Sequence, residues 1–348
     1  MKKNRMHRSR IASFIGLVTV GGMLLAGCSS TSEQPAPEEP STTEEAGDQG
    51  IGTPEIEPLA VAAWRANSHV TPIVAEDEGI AAGYGLSIEF VAQESAPAGA
   101  ALLQSGDVQI YSGSYPGVID AIRSGLPFRI LAEQTSTGVD INTLEVLPDS
   151  DIEDVLDLQG KTIAVNGLNT ATDLRIKYAV LDAGGDPATI NFVALPYGEM
   201  ASALELGSVD GAQMYGPGLL QAREVLNTRT ILDIGKGVFE DFAETGWVTT
   251  ADNLEKYPNA IAAFQCAMRD ATQLIISDNE LYLNTTAEFT GITAEQVAAQ
   301  GEVNWSTETR PERIAEVGEM MQGVGLIPAD EQLDIAAAVV PFPTNCNS

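Results

Sequence analysis

Residues 157–165 of the chain are DLQGKTIAV, and residues 166–170, NGLNT, follow them. The apolar run at 162–165 predicts a buried strand, and the spacing of apolar residues from about 171 to 183 predicts a helix directly after it. Asn166, Asn169 and Thr170 lie in the polar loop between the two. A strand, a short loop and a helix in this order form the repeating unit of a parallel α/β sheet, so this segment decides the fold class.

The same order of elements recurs on both sides of this segment. Upstream, strands are predicted at 59–64, 86–91, 108–111 and 128–132, with helices at 70–82, 98–105 and 115–124. Downstream, strands are predicted at 191–195, 209–214 and 230–234, with helices at 198–206 and 218–225. From about residue 254 the pattern is mostly helical, most clearly at 260–276 and 311–323. The sequence therefore predicts an α/β protein with two doubly wound, mainly parallel sheets.

The N-terminus has the pattern of a secretory signal. Five basic residues precede an uncharged, largely apolar run from residue 11 to 27, which ends at Leu25-Ala26-Gly27-Cys28. The small pair before Cys28 resembles the lipobox of bacterial lipoproteins, in which the cysteine becomes the lipidated first residue. An uncleaved anchor helix with an incidental cysteine is the alternative. Either reading places the rest of the chain outside the cytoplasm and tethered to a membrane, with residues 28–57 as a flexible, charged tether.

Charge and composition exclude several classes of partner and chemistry. Removing residues 1–27 takes away five of the 18 basic residues and no acidic ones, so the net charge falls from −31 to −36. Such a surface repels nucleic acid and anionic lipid. His69 is then the sole histidine, which argues against a His/Cys zinc cluster or a Cys-His nucleophile, and no P-loop or HExxH motif is present. We expect no metal and no cofactor.

The cysteine count bears on the C-terminal tail. Once Cys28 carries lipid, Cys266 and Cys346 remain, in a compartment where disulfides persist. We expect them to pair and to hold the tail on the helix that carries Cys266. Two buried free thiols are the alternative.

Two motifs in order give the chain a family resemblance. DLQGKTIAV resembles the segment that opens the second lobe of bacterial solute-binding proteins. Its spacing to GEMASALELGSVDGA at 198–212 is similar to the branch that binds aliphatic sulfonates, taurine, nitrate and thiamine-type pyrimidines. The resemblance covers about 59–250 and implies a two-lobed, type 2 periplasmic-binding-protein fold with its ligand between the lobes. Related proteins often have Glu-Pro where Tyr215-Gly216-Pro217 stands here, which puts ligand contact from that loop in question.

The resemblance sets the domain organisation that we expect. The signal peptide is 1–27, the tether 28–57, the first lobe 58–138 with 240–348, and the second lobe 139–239. The chain then crosses between lobes near 137–144 and 234–245. Gly138 and Gly235-Lys236-Gly237 lie in these segments and would let them act as hinges.

Strand-exit loops supply the candidate ligand contacts, because the carboxyl ends of strands face the crevice of such sheets. The candidates are Trp64, Asn67, His69, Ser112, Ser114, Asn166, Asn169, Thr170, Tyr215 and Trp247. Ser114 and Thr170 precede predicted helices, where free backbone N–H groups could hold an oxyanion, although both are equally good helix caps. Trp64 and Trp247 could form flat walls or belong to the core. His69 could donate a hydrogen bond or have an ordinary capping role.

These observations lead to one main functional prediction. It is an extracytoplasmic, lipid-anchored and monomeric binding protein that passes a small solute to an ABC transporter permease. A ligand with a flat or apolar part fits the aromatic residues best, and a sulfonate or nitrate-like anion stays open. The alternatives are an enzyme on the same scaffold, of the pyrimidine-precursor type, and a ligand-binding receptor for a sensor.

Overall fold

The structure, a computed structural model, describes residues 51–136 and 138–346. Residues Asp48–Ser348 form one compact unit, and every structural statement below concerns the described part of it. The predicted signal peptide, Cys28 and residues 28–50 of the predicted tether lie outside the described residues, as does Thr137 of the first predicted hinge. Within the described ranges, no helix is both long and apolar enough to cross a lipid bilayer.

The first sheet begins with four strands that alternate with helices. In chain order the elements are β1 Leu59–Ala63, α1 Thr71–Asp77, α2 Ile80–Gly83, β2 Ile88–Ala92, α3 Ala96–Ser105, β3 Ile110–Ser114, α4 Tyr115–Arg123 and β4 Phe128–Ser136. Strand β1 is parallel to β2 and β3, and all of its residues are buried. A continuous apolar strand of this kind suits a parallel sheet, because helices cover both faces.

The second sheet repeats this alternation. Its elements are β5 Asn142–Val146, β6 Thr162–Val165, α5 Ala171–Asp182, β7 Asn191–Ala194, α6 Tyr197–Glu205, β8 Gly211–Tyr215, α7 Gly216–Gln221 and β9 Arg229–Asp233. Strand β6 is parallel to β7 and β8. The segment that decided the fold class, 157–182, therefore forms the strand, loop and helix that its sequence predicts.

The chain then returns to the first sheet and ends in helices. The remaining elements are β10 Ala243–Thr250, α8 Ala251–Lys256, α9 Pro258–Ser277, α10 Asn279–Thr290, α11 Ala294–Ala298, β11 Asn304–Trp305 and α12 Pro311–Gly323. Helix α9 is the longest and is buried along one face. Its Ile261 and Phe264 pack in the same core cluster as Leu59 and Val61 of β1.

Both sheets follow one scheme. The strand order is β11-β4-β10-β3-β1-β2 in the first and β7-β6-β8-β5-β9 in the second. In each, the strand that enters from the other sheet, β10 or β5, runs antiparallel to its neighbours. The chain passes between the sheets after β4 and again after β9.

The two crossing segments, 138–141 and 234–242, lie against each other. The Asp233 carboxylate accepts the backbone N–H of Asp140 at 3.0 Å and that of Gly235 at 3.0 Å, so it joins both segments. A Cβ atom added to Gly235 would stand 2.0 Å from the carbonyl oxygen of Gly138. Only glycine permits this approach.

The structure differs from the predicted elements in a few places. The helix predicted at 70–82 is two helices, because Gly79 adopts a φ of 71° and ends the first. Strands β5 and β10 have no counterpart among the predicted strands. Residues 51–57, assigned above to the tether, lie against the body of the protein: the Glu55 carboxylate accepts the backbone N–H groups of Asn259 and Ala260 at the start of α9.

Candidate functional site

The carboxyl edges of the two sheets meet, and we call the region of contact the cleft. The Tyr215 hydroxyl, at the end of β8, donates to the side-chain oxygen of Asn67 in the loop after β1. Nearby, the Ala171 N–H at the start of α5 donates to the Ser114 hydroxyl at the end of β3, at 3.2 Å. The structure thus brings together loops that lie far apart in the sequence, as the strand-exit rule requires.

His69 lies at the centre of a buried hydrogen-bonded chain on the first-sheet side. The side-chain N–H of Gln134 donates to the Ser68 carbonyl at 3.0 Å. The side-chain oxygen of Gln134 then accepts from the Ser112 hydroxyl at 2.8 Å. The Ser112 oxygen therefore accepts from Nε2–H of His69 at 3.1 Å. Nδ1 of His69 then accepts from the Ser68 hydroxyl at 2.8 Å. These bonds assign the Nε2–H tautomer of a neutral imidazole.

Burial keeps His69 neutral. Desolvation lowers the pKa of His69 to about 3, because a charged imidazolium would lose its hydration inside the protein. The ring also meets the Trp64 ring edge-on, with centroids 5.0 Å apart. Of the sequence candidates, Trp64, Asn67, His69 and Ser112 are thus neighbours in one half of the cleft.

Tyrosines line the cleft from both sides, Tyr282 from the side of the first sheet and Tyr197 and Tyr215 from that of the second. Tyr197 of α6 and Tyr215 lie with ring centroids 5.8 Å apart, and Tyr282 of α10 meets Trp305 at 5.9 Å. Burial raises the pKa of Tyr282 to about 12 and raises the pKa values of Tyr197 and Tyr215 above the ordinary tyrosine range. All three hydroxyl groups therefore keep their protons at neutral pH and can donate hydrogen bonds.

Three buried polar atoms of the cleft make no hydrogen bond of good geometry among the described residues, although the Asn67 amide lies beside the Tyr282 hydroxyl and the Gln213 amide beside the Tyr197 hydroxyl. They are Nδ2 of Asn67, the hydroxyl of Tyr282 and Oε1 of Gln213. Gln213 precedes Tyr215 by two residues on β8, so both side chains lie on one face of the strand. Its Nε2 atom donates to the side-chain oxygen of Asn142. Buried donors and acceptors are normally paired, so the three atoms mark a place suited to a polar ligand.

The N-terminus of α5 is occupied by the protein's own groups. The Thr170 hydroxyl accepts the Thr172 N–H at 3.3 Å, and the buried Asp173 carboxylate accepts the N–H of Thr170 at 2.6 Å and that of Asn169 at 3.1 Å. Thr170 is therefore a helix cap, one of the two roles its position predicts. Asn169 adopts a φ of 58°, and Asn166 is exposed.

An ion pair joins the two sides of the cleft next to this helix. The guanidinium of Arg175 on α5 is fully buried and donates to the Glu244 carboxylate on β10 at 2.8 Å. It also donates to the Ile234 carbonyl in the second crossing segment at 3.0 Å. A buried cation needs such partners, because its desolvation is unfavourable otherwise.

One sequence candidate lies away from these groups. Trp247 is 1% exposed and packs edge-on against Phe264 of α9, with centroids 5.4 Å apart. It belongs to the core of the first sheet, so we leave it out of the proposed site. It also lines a small cavity with Gln265 and Met268 of α9.

Some groups of the cleft carry no signal in the sequence. Gln213 and Asn142 could have been found only by knowing that β5 pairs with β8. Tyr282 lies on α10, far from both in the sequence. Arg175 and Glu244 are ordinary charged residues in the sequence, and only the fold places them together. In the described part of the chain, no group of three or more His, Cys, Asp or Glu side chains is arranged to hold a metal ion.

Comparison with known proteins places this geometry in a family. The model of the family described as NMT1/THI5 like matches residues 66–280. The chain belongs to this NMT1/THI5-like family. It is 24% identical over 251 residues to the taurine-binding periplasmic protein of Escherichia coli (strain K12). This alignment covers 69% of this chain and 74% of that protein.

Solved structures share the fold. The alkanesulfonate-binding protein SsuA from Xanthomonas axonopodis pv. citri, bound to MOPS, aligns with a TM-score of 0.67 and 15% identity, over 83% of this chain and 99% of that one. The periplasmic nitrate-binding protein NrtA from Synechocystis PCC 6803 aligns with a TM-score of 0.67 and 16% identity, over 82% of this chain and 86% of that one. The predicted family and the predicted periplasmic-binding-protein fold are confirmed.

Proposed function

We propose that this protein is an extracytoplasmic solute-binding lipoprotein that captures a small organic molecule in the cleft and delivers it to an ABC permease. The observation that carries the proposal is the convergence of buried polar and aromatic side chains from both sides of one contact region, some of whose polar atoms make no hydrogen bond of good geometry within the described chain. The relatives named above are binding proteins for small solutes, which supports the same class of function. We propose binding without catalysis, since both ring nitrogens of His69 already have hydroxyl partners.

The lining of the cleft favours an uncharged, flat organic ligand. The three atoms of Asn67, Gln213 and Tyr282 named above belong to neutral amides and a protonated phenol. Aromatic rings of Trp64 and Tyr215 provide flat surfaces beside them. A ligand with an aromatic or heteroaromatic ring and both donors and acceptors matches this set, as in most small-molecule sites.

The anchoring and assembly belong to the same proposal. Lipid on Cys28 would hold the protein at the membrane, and a monomer would present one ligand at a time to the permease. Bacteria expressing the chain should carry it in the membrane fraction, and Cys28→Ala should release it. Retention of Cys28→Ala in the membrane would instead favour an uncleaved anchor helix.

Thermal unfolding in the presence of small-molecule panels tests the binding function. A compound that binds only the folded protein raises the melting temperature, by an amount that grows with its concentration over Kd. We expect at least one uncharged heteroaromatic compound to do so. If no compound of a broad metabolite panel shifts the melting temperature, solute binding is wrong.

A pair of conservative variants locates the binding. Tyr215→Phe removes a hydroxyl that joins the two sides of the cleft. Tyr257→Phe is the matched control, because Tyr257 lies between α8 and α9 and packs, partly buried, against the core of the first sheet. The rise in melting temperature caused by the ligand should be smaller in Tyr215→Phe and unchanged in Tyr257→Phe. Equal shifts in both variants would place the ligand elsewhere.

A further inference from the structure

The N-terminus of α5 has the position expected of an anion-binding site, but its N–H groups are engaged. The Asp173 carboxylate takes those of Asn169 and Thr170, and the Ser114 hydroxyl takes that of Ala171. Helix N-termini attract anions through such N–H groups and the helix dipole. Here a carboxylate of the protein already fulfils that role.

The buried cation on the same helix, Arg175, is neutralised as well. Arg175 has a fully buried side chain, and its guanidinium bonds Glu244 at 2.8 Å across the cleft. The Glu244 side chain is 25% exposed, whereas that of Arg175 is fully buried. An anion that paired with Arg175 would therefore have to displace Glu244, the more accessible member of the pair.

Glu244 also acts on the tyrosines of the cleft. Burial raises the pKa of Tyr215, and the negative charge of Glu244 adds to this shift. Glu244 likewise adds to the burial that raises the pKa of Tyr197. The carboxylate is thus close to the same tyrosine pair that faces Asn67.

The geometry points to Glu244 as the specificity-determining residue of the cleft: by occupying Arg175, it excludes anionic solutes and admits those without negative charge. This inference rests on the proposed function and narrows its ligand class. Discrimination of this kind uses a repulsive element as well as attractive contacts. A sulfonate or nitrate ion would have to replace Glu244 at Arg175 and leave the carboxylate unpaired beside it, which is unfavourable in a desolvated site.

The test compares the wild type with Glu244→Gln, which keeps the shape of the side chain and removes its charge. Arg175 keeps its other partners but its positive charge is no longer compensated by Glu244, so a small anion in the cleft is attracted rather than repelled. We expect methanesulfonate and nitrate to bind Glu244→Gln at least about tenfold more tightly than the wild type, measured by calorimetric titration at low ionic strength. Equal affinity in the two proteins would overturn the inference.

Two comparisons keep the test clear. Glu240→Gln changes the net charge equally at an exposed site in the second crossing segment, and should bind both anions as the wild type does. If Glu244→Gln does not fold, Glu244→Ala replaces it with the same expected gain in anion affinity, and stabilisation of the wild type by either anion overturns the inference. The panel of uncharged compounds on the wild type tests the proposed function separately, because it does not involve Glu244 variants.

Discussion

At the scale of single residues, the cleft is built from neutral groups that hold one another in fixed orientations. His69 is the clearest case, because each ring nitrogen has a hydroxyl partner and the ring is 5% exposed. Its position in the short segment between β1 and α1 was predictable from the sequence. Gln134, which bonds the Ser68 carbonyl and the Ser112 hydroxyl, was not, because β4 continues four residues beyond the apolar run that predicted it.

The depressed pKa of His69 predicts a pH dependence of stability. The unfolded chain takes up a proton near pH 6.5, whereas the folded protein holds the imidazole neutral down to about pH 3. The stability that the neutral His69 contributes to the folded protein is fully present above pH 6.5 and is lost as the pH falls toward 3. Between pH 7 and pH 5 this group should lower the free energy of unfolding by about 2 kcal/mol.

Urea unfolding of the wild type and His69→Gln at pH 5, 6 and 7 measures this contribution. The variant lacks the titrating group, so its stability should change less with pH and the gap between the two proteins should narrow at pH 5. Parallel stability curves would show that His69 does not titrate differently in the folded and unfolded states.

Thr170 provides a second prediction at this scale. Its hydroxyl caps α5, so Thr170→Val should lower the free energy of unfolding by about 1 kcal/mol. Thr170→Ser keeps the hydroxyl and should retain most of the stability, as measured by denaturant unfolding. If Thr170→Val unfolds like the wild type, the cap has no measurable role, and the role in ligand contact regains weight.

At the scale of elements, the crossing segments are where sequence and structure are most closely linked. The glycines at 138 and 235 were predicted as hinge residues for their conformational freedom. The structure adds a steric reason, since a side chain on Gly235 would collide with the Gly138 carbonyl. Whether these segments move remains a prediction.

Gly235→Ala should therefore destabilise the protein by about 1–3 kcal/mol, because the added methyl group must push the crossing segments apart. Gly198→Ala is the matched control, since a Cβ atom there meets nothing within 4 Å and the residue lies in α6. The control should be neutral or slightly stabilising, because alanine favours the helix. Thermal unfolding of the two variants compares them directly, and equal melting temperatures would contradict the packing argument.

The sequence predicts a disulfide that holds the C-terminal tail, and this pairing stays a prediction to be tested. The structure places Cys266 of α9 and Cys346 in a bond, with their Cα atoms 5.4 Å apart. In the chain-entropy model, closing a loop of 80 residues stabilises the folded state by about 4 kcal/mol. Mature protein should gain two thiol-reactive mass tags only after reduction, and tagging of the unreduced native protein would show free thiols instead.

The elements that the sequence could not predict share a physical cause. Strand β5 is NTLEV, and all five residues are buried although Asn142, Thr143 and Glu145 are polar. Glu145 is held there by Thr143, Thr230 and Arg223, contacts that exist only in the folded sheet. Leu144 and Val146 are its only apolar residues, too few for a clear periodic signal. The apolar parallel strands β1 and β6, in contrast, were predicted almost to the residue.

At the scale of the whole molecule, two sheets of one design face each other through their carboxyl edges. The motif order along the chain was enough to predict this arrangement and the family. The sequence could not supply the pairing of Arg175 with Glu244 or of Asn67 with Tyr215, because each pair joins segments more than 60 residues apart. Closure on a ligand requires contacts from both sides, since a ligand held by one side alone gives closure no differential free energy.

Small-angle X-ray scattering with and without ligand tests the central claim most directly. The sample is mature protein, freed of bound ligand by unfolding and refolding, and the ligand is the compound that most raises its melting temperature. The account predicts a smaller radius of gyration at saturating ligand, because the sheets close on the compound, and a weaker response in Tyr215→Phe. Identical scattering with and without saturating ligand would contradict capture of a solute between two closing sheets.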